Sequence, residues 1–137
     1  MLNSIRRSAQ LSCHEIHAVM DETLNQELRG TLRAQLQEYH SIYAEADRLL
    51  RQREAEKKNV SPFVKYPSGL SAKLLVRASV DPGAKIASLL LQKNARNMSK
   101  SIHNLRSLGT LDPKVSSLSM HLLQTEQANM DQLKDYL

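Results

Sequence analysis

Apolar residues recur every three or four positions along most of the chain, the spacing that lines one face of an α-helix. The series Leu2, Ile5, Ala9, Ser12/Cys13, Ile16 and Val19/Met20 predicts a first helix over about 3–20. Asp21 marks a break. From Leu24 the series Leu28, Leu32, Gln35/Leu36, Tyr39, Ile42/Tyr43, Ala46 and Leu49/Leu50 predicts the longest helix, over about 23–56. At about 1.5 Å per residue it spans nearly 50 Å, and Gly30 within it is a modest cost, not a stop.

Two further helix starts are written as Asp81-Pro82 and Asp112-Pro113. Each offers a carboxylate to the free N–H groups of a first turn, followed by a proline whose fixed φ suits the first helical position. With Leu108-Gly109 as a glycine stop, they predict helices over 82–108 and 113–136 joined by a short turn, hence antiparallel. The segment KKNVSPFVKYPSGLSAKLLVRASV, residues 57–80, opens as a linker with Pro62, Pro67 and Gly69 and closes as a short helix over 71–79. A connection of this length crosses from one end of a bundle to the other. The prediction is one all-α domain over residues 1–137, two helical hairpins joined by a long crossover that contains a short helix.

Composition supports long helices: 137 residues suffice for one core, and four Gly, four Pro and no Trp leave little punctuation for short strands. The opening MLNSIRRSAQL lacks the apolar centre of a signal peptide, and no apolar run approaches the roughly 18 residues that span a bilayer. A cytoplasmic protein without membrane contact is expected. Cys13 is alone, so neither an internal disulfide nor a thiolate metal cluster is available, and it reads as a small buried hydrophobe.

LRAQLQEYHSIYAEADRLL in the second helix, DPGAKIASLLLQKNARNM in the third and SLSMHLLQTEQANMDQLKDYL at the end, in this order of two hairpins and a crossover, resemble the ferritin-like four-helix-bundle proteins of Gram-positive bacteria. That is a family without an assigned activity, some of whose members group near spore-coat bundles. The resemblance implies a ferritin-like fold and spore association. It also raises the question of a metal, because ferritin-like di-iron sites take carboxylates from all four helices and a Glu-x-x-His on two of them.

The helical step of about 100° decides which side chains face inward. On the last helix Val115, Leu122, Glu126, Asn129 and Leu133 share one stripe, with Asn129 standing where the motif has His. The third helix offers Ala87, Leu90, Leu91, Asn94, Met98, Ser101 and Leu105; the second offers Leu28, Leu32, Gln35, Tyr39, Tyr43, Ala46 and Leu50, with Glu38 and Glu45 turned away. The first offers Ile5, Ala9, Ser12, Ile16 and Val19, with Glu15 and His17 at its flanks. Three helices thus lack a central acid. Glu126 and Asn129 are the metal-ligand candidates, but a di-iron or manganese centre is not expected and no cofactor is predicted. The reading preferred is a buried polar seam of Gln35, Asn94, Ser101, Glu126 and Asn129 that fixes helix register, with Asn94 and Glu126 at similar height.

The histidines His14 and His17 in SCHEIH face solvent, and the word is not HExxH. His40, His103 and His121 have no acidic or thiol partner at ligand spacing. There is no Gly-x-Ser-x-Gly word and no glycine-rich phosphate loop, the glycines standing at 30, 69, 83 and 109. Tyr39 and Tyr43 read as core with hydroxyls reaching the seam, whereas Leu89, Phe63 and Tyr66 are candidates for an apolar surface.

Charge is uneven. The net charge is +5, and between Lys57 and Arg106 ten basic residues face Asp81 as the only acid. Lys85, Lys93, Arg96 and Lys100, with His103, form a basic face on the third long helix, which is either a solvated surface or a dock for an acidic protein or nucleic acid. A homodimer is expected because two-fold association is the commonest oligomer. The function expected is non-catalytic, structural or protein-interacting. The alternatives are a metal-binding ferritin-like oxidoreductase with a reduced site around Glu126, and a binder of anionic partners through the basic face.

Overall fold

A computed structural model describes residues 1–57, 70–107 and 112–137. They form five α-helices: α1 (Leu2–Val19), α2 (Gln26–Lys57), α3 (Leu70–Arg77), α4 (Pro82–Ser107) and α5 (Pro113–Leu133), with 3-10 turns at Met20–Glu22 and Lys134–Tyr136. Among the described residues no helix is long and apolar enough to cross a membrane. The expected glycine stop at Leu108-Gly109 and the linker residues Phe63 and Tyr66 lie outside the described residues.

Both expected aspartate caps form. Asp81 Oδ1 accepts from the Ala84 N–H at 3.0 Å and Asp112 Oδ1 from the Lys114 N–H at 2.9 Å, each satisfying one of the donors that a helix start leaves free. The start of α2 differs from the sequence reading. Thr23 Oγ1 accepts from the Asn25 N–H and Asn25 Oδ1 from the Leu28 N–H. These short side-chain bonds draw the backbone out of the helix, so α2 begins at Gln26 and Leu24 stands 89 % exposed although it fits the apolar series.

The helices pair as two hairpins, α1 on α2 and α4 on α5, and α2 also packs on α5 and α1 on α4. Side chains fix the directions. Arg53 near the end of α2 meets Asp112 at the start of α5 at 2.7 Å, and Thr31 near the start of α2 shares a 3.1 Å hydrogen bond with Tyr136 after α5, so α2 and α5 are antiparallel. Asn104 and Ser4, Asn97 and Ser12, and Lys93 and Glu15 pair α4 with α1 in antiparallel register. The first residues of α4 lie beside those of α2, since a Cβ on Gly83 would stand 3.5 Å from Leu28 and Thr23. After α2 the chain therefore returns to the end from which α2 started, as a crossover requires.

The core runs the length of this assembly. Leu2, Ile5, Ala9, Ile16 and Val19 of α1 meet Leu28, Leu32, Tyr39, Ile42 and Ala46 of α2, Ile86, Ala87 and Leu90 of α4, and Val115, Leu122 and Leu133 of α5. Val76 of α3 is fully buried against it, and Arg77 grips Glu22 at 2.8 Å to hold α3 over the α1–α2 turn. Leu89, read from sequence as an apolar surface candidate, instead packs partly buried against the core, as does Tyr43.

Candidate functional site

The predicted polar seam lies inside the protein. Gln35, Asn94, Ser101, Glu126 and Asn129 are all buried, with Glu126 and Asn129 at 0 % exposure. Tyr39 of α2, expected to reach the seam, lies buried with them, and two more side chains join: Ser12 of α1 and Asn97 of α4. Asn97 was legible in principle, because it follows Asn94 by three residues and precedes Ser101 by four, the spacing of one helix face.

Register corrects one expectation. The hydrogen bond to Glu126 comes from Ser101, whose hydroxyl lies 3.5 Å from Oε2, and Asn94 sits two turns away, about 10 Å along α4. Position along the sequence from the α4–α5 turn levels Asn94 with Glu126, whereas the packed helices level Ser101 with it. Gln35 Nε2 donates to the Asn129 carbonyl at 3.4 Å and to Gln132 Oε1 at 3.0 Å, which ties α2 to the last turns of α5. Asn97 Nδ2 donates to Ser12 Oγ at 3.5 Å, joining α4 to α1.

At the centre, polar atoms exceed the bonds made to them. Glu126 Oε1, both side-chain polar atoms of Asn129 and the Tyr39 hydroxyl are buried without a partner of good geometry. Burial without full compensation disfavours charge, and it pushes the Glu126 carboxyl up to about 8, against the lowering effect of the Ser101 hydrogen bond. The Tyr39 phenol is pushed up too, chiefly by burial, with Asn129 and Ser12 near enough to oppose the shift. At neutral pH the seam is therefore a set of uncharged groups in which Glu126 is a carboxylic acid able to donate as well as accept.

These donors do not match a di-metal centre. Two cations need several ionised carboxylates and imidazoles, whereas the residues around Glu126 are amides, serines and a tyrosine, and among the described residues no group of three or more His, Cys, Asp and Glu could hold a metal ion. His17 meets His40 edge-on across α1 and α2, ring centroids 6.2 Å apart, and both are exposed. Cys13 is buried and its thiol pushed up to about 11 by burial, away from the reactive thiolate.

The basic face is narrower than its sequence. Arg96 and Lys100 are exposed, but Lys85 and Lys93 are half-buried. Lys93 Nζ reaches Glu15 Oε1 at 3.2 Å. Glu15, placed at the flank of α1 by its periodicity, is 9 % exposed there; burial raises its carboxyl and Lys93 holds that rise in check. Comparison with known protein families, with curated proteins and with solved structures finds no match to the chain.

Proposed function

We propose that this chain is a ferritin-like four-helix bundle without catalytic activity, serving as a structural or protein-interaction component, with spore association as the resemblance implies. The arrangement of two hairpins with a returning crossover, α1 beside α2 and α4, α5 beside α2 and α4, supports the ferritin-like reading, since that fold uses one long crossover. One observation carries the functional reading: Glu126, the carboxyl at the centre of the seam, is sealed at 0 % exposure, and that burial favours its protonated form. Buried polar groups of this kind fix packing and register in other helical assemblies, and that is the role assigned to Glu126 in this reading.

The test is the metal content of tag-free protein by mass spectrometry, before and after anaerobic incubation with ferrous iron, beside Glu126→Ala. The structural reading expects metal well below one per chain and indifferent to the substitution. Near-stoichiometric metal lost in Glu126→Ala would replace it with the oxidoreductase alternative.

A second reading has its own observation. Arg96 and Lys100 project from α4, a surface suited to an acidic protein or to nucleic-acid phosphates. It predicts a salt-sensitive affinity weakened by Arg96→Glu and Lys100→Glu, and is abandoned if binding ignores both.

A further inference from the structure

The outer face of the α4–α5 hairpin carries a groove between two ridges of i, i+4 side chains. Met98 and Ile102 form the α4 ridge, and Leu123, Gln127 and Asp131 the α5 ridge, with Ala128 between them. The α4 ridge continues one turn beyond Ile102 to Arg106. Apolar side chains here are half-buried or exposed although the core lies on the other side of both helices.

The charges at the ends of the groove are arranged antisymmetrically. Ser101 and Glu126 stand at one level. Arg106 lies five residues beyond Ser101 along α4 and Asp131 five residues beyond Glu126 along α5. Because the helices are antiparallel, these two residues are displaced about 7.5 Å in opposite directions, on opposite rims. Both are exposed; among the described residues Asp131 pairs with the exposed Lys134 at 3.0 Å, an interaction worth little in water, and the Gln127 side chain also donates to it.

We propose that this groove is a self-association surface on which a second copy of the chain docks. The proposal rests on the protein-interaction reading above and names its partner. A two-fold axis lying in the interface and perpendicular to the Arg106–Asp131 diagonal brings each guanidinium onto the carboxylate of the other copy, twice per dimer, while Met98, Ile102 and Leu123 meet across the axis. Such an interface is isologous, the form that two-fold dimers take. Ridges of i, i+4 residues interdigitate at an oblique crossing of about −50°, and an oblique crossing is what that axis produces. Opposite charges at the two ends select a second copy over an unrelated apolar partner, since the groove is complementary to itself.

The test is sedimentation velocity of the full chain from about 1 to 100 μM, with Arg106→Glu, Asp131→Arg, the double reversal, and Ile102→Lys in the groove, each checked for helicity by circular dichroism. The proposal expects a species of twice the 15.5 kDa chain mass. Each single reversal should weaken association by roughly tenfold or more, because like charges then face each other; the double reversal should recover most of the loss, and Ile102→Lys should give monomer. A wild-type monomer throughout overturns the proposal. A dimer that none of the four variants weakens overturns it too, while leaving the interaction reading in place.

Discussion

Lys93 reaches from α4 to Glu15 on α1 at 3.2 Å, with Glu15 only 9 % exposed and Lys93 31 % exposed. The contact turns one member of a basic stripe into part of the packing between the two hairpins. Removing one partner of such a pair leaves an uncompensated charge, which costs more than the pair contributed. Lys93→Met is expected to destabilise by about 1–3 kcal/mol at neutral pH, against no more than about 0.5 kcal/mol for Arg96→Met on the exposed surface. The sign with pH follows from Glu15. Its folded carboxyl is already raised by burial and rises further without Lys93, so the penalty is present above that pKa and fades as pH falls to about 4, where both states are protonated. Urea denaturation at two pH values checks both statements.

Glu126 gives a second pH dependence. Its folded pKa of about 8 lies above the ordinary 4.5, so between these values the folded protein holds a proton that the unfolded chain releases. The contribution is fully present below about pH 4.5 and is lost as pH rises through about 8, a decline of a few kcal/mol. Glu126→Gln keeps the shape and cannot ionise. Its stability relative to the parent should rise steadily between pH 5 and 8, read from the difference in urea midpoints; parallel curves would show that the folded carboxyl is ionised at these pH values, as in the unfolded chain.

Gly30 sits on the exposed side of α2 with nothing within 4 Å of the position its Cβ would take. Glycine is unfavourable in a helix interior through its unfolded-state freedom, so Gly30→Ala should stabilise by about 0.5–1 kcal/mol. A loss in thermal or urea denaturation would contradict the open surroundings described.

Asp112 both caps α5 and receives Arg53 at 2.7 Å. The cap is the stronger contribution, because a helix start leaves its N–H groups otherwise unsatisfied. Asp112→Ala should cost about 1–2 kcal/mol. Arg53→Ala removes a pair in which each side chain is 43 % exposed and should cost about 0.5 kcal/mol or less. Equal losses would assign the effect to the ion pair.

The sequence carried the helices and their caps because periodicity and the Asp-Pro words act within a few residues of one another. It also carried the burial of Glu126 and Asn129, both on the stripe that leads from Leu122 to Leu133. Less legible was what happens between helices. Ala87, Leu90, Asn94 and Ser101 of the predicted α4 stripe are buried, but Met98 of that stripe lines the outer groove while Ile86 and Asn97 beside it are buried, since the buried arc of α4 is set by where α1 and α5 lie and not by the apolar spacing alone. The level of Ser101 with Glu126 has the same origin, as cross-helix register depends on three-dimensional packing. At Leu24, local hydrogen bonds of Thr23 and Asn25 overrode an apolar position that fitted the pattern.

The charge of the Glu126 carboxyl separates a structural seam from a metal ligand. Carbon-13 NMR of the Glu126 side-chain carboxyl, assigned by comparison with Glu126→Gln and titrated from pH 4 to 9 in the presence and absence of zinc, measures it directly. The account predicts a protonated carboxyl at pH 7 with a midpoint near 8, unchanged by the metal. An ionised carboxyl at pH 7 would contradict the neutral seam, and a midpoint that zinc drives sharply downward would make Glu126 a ligand.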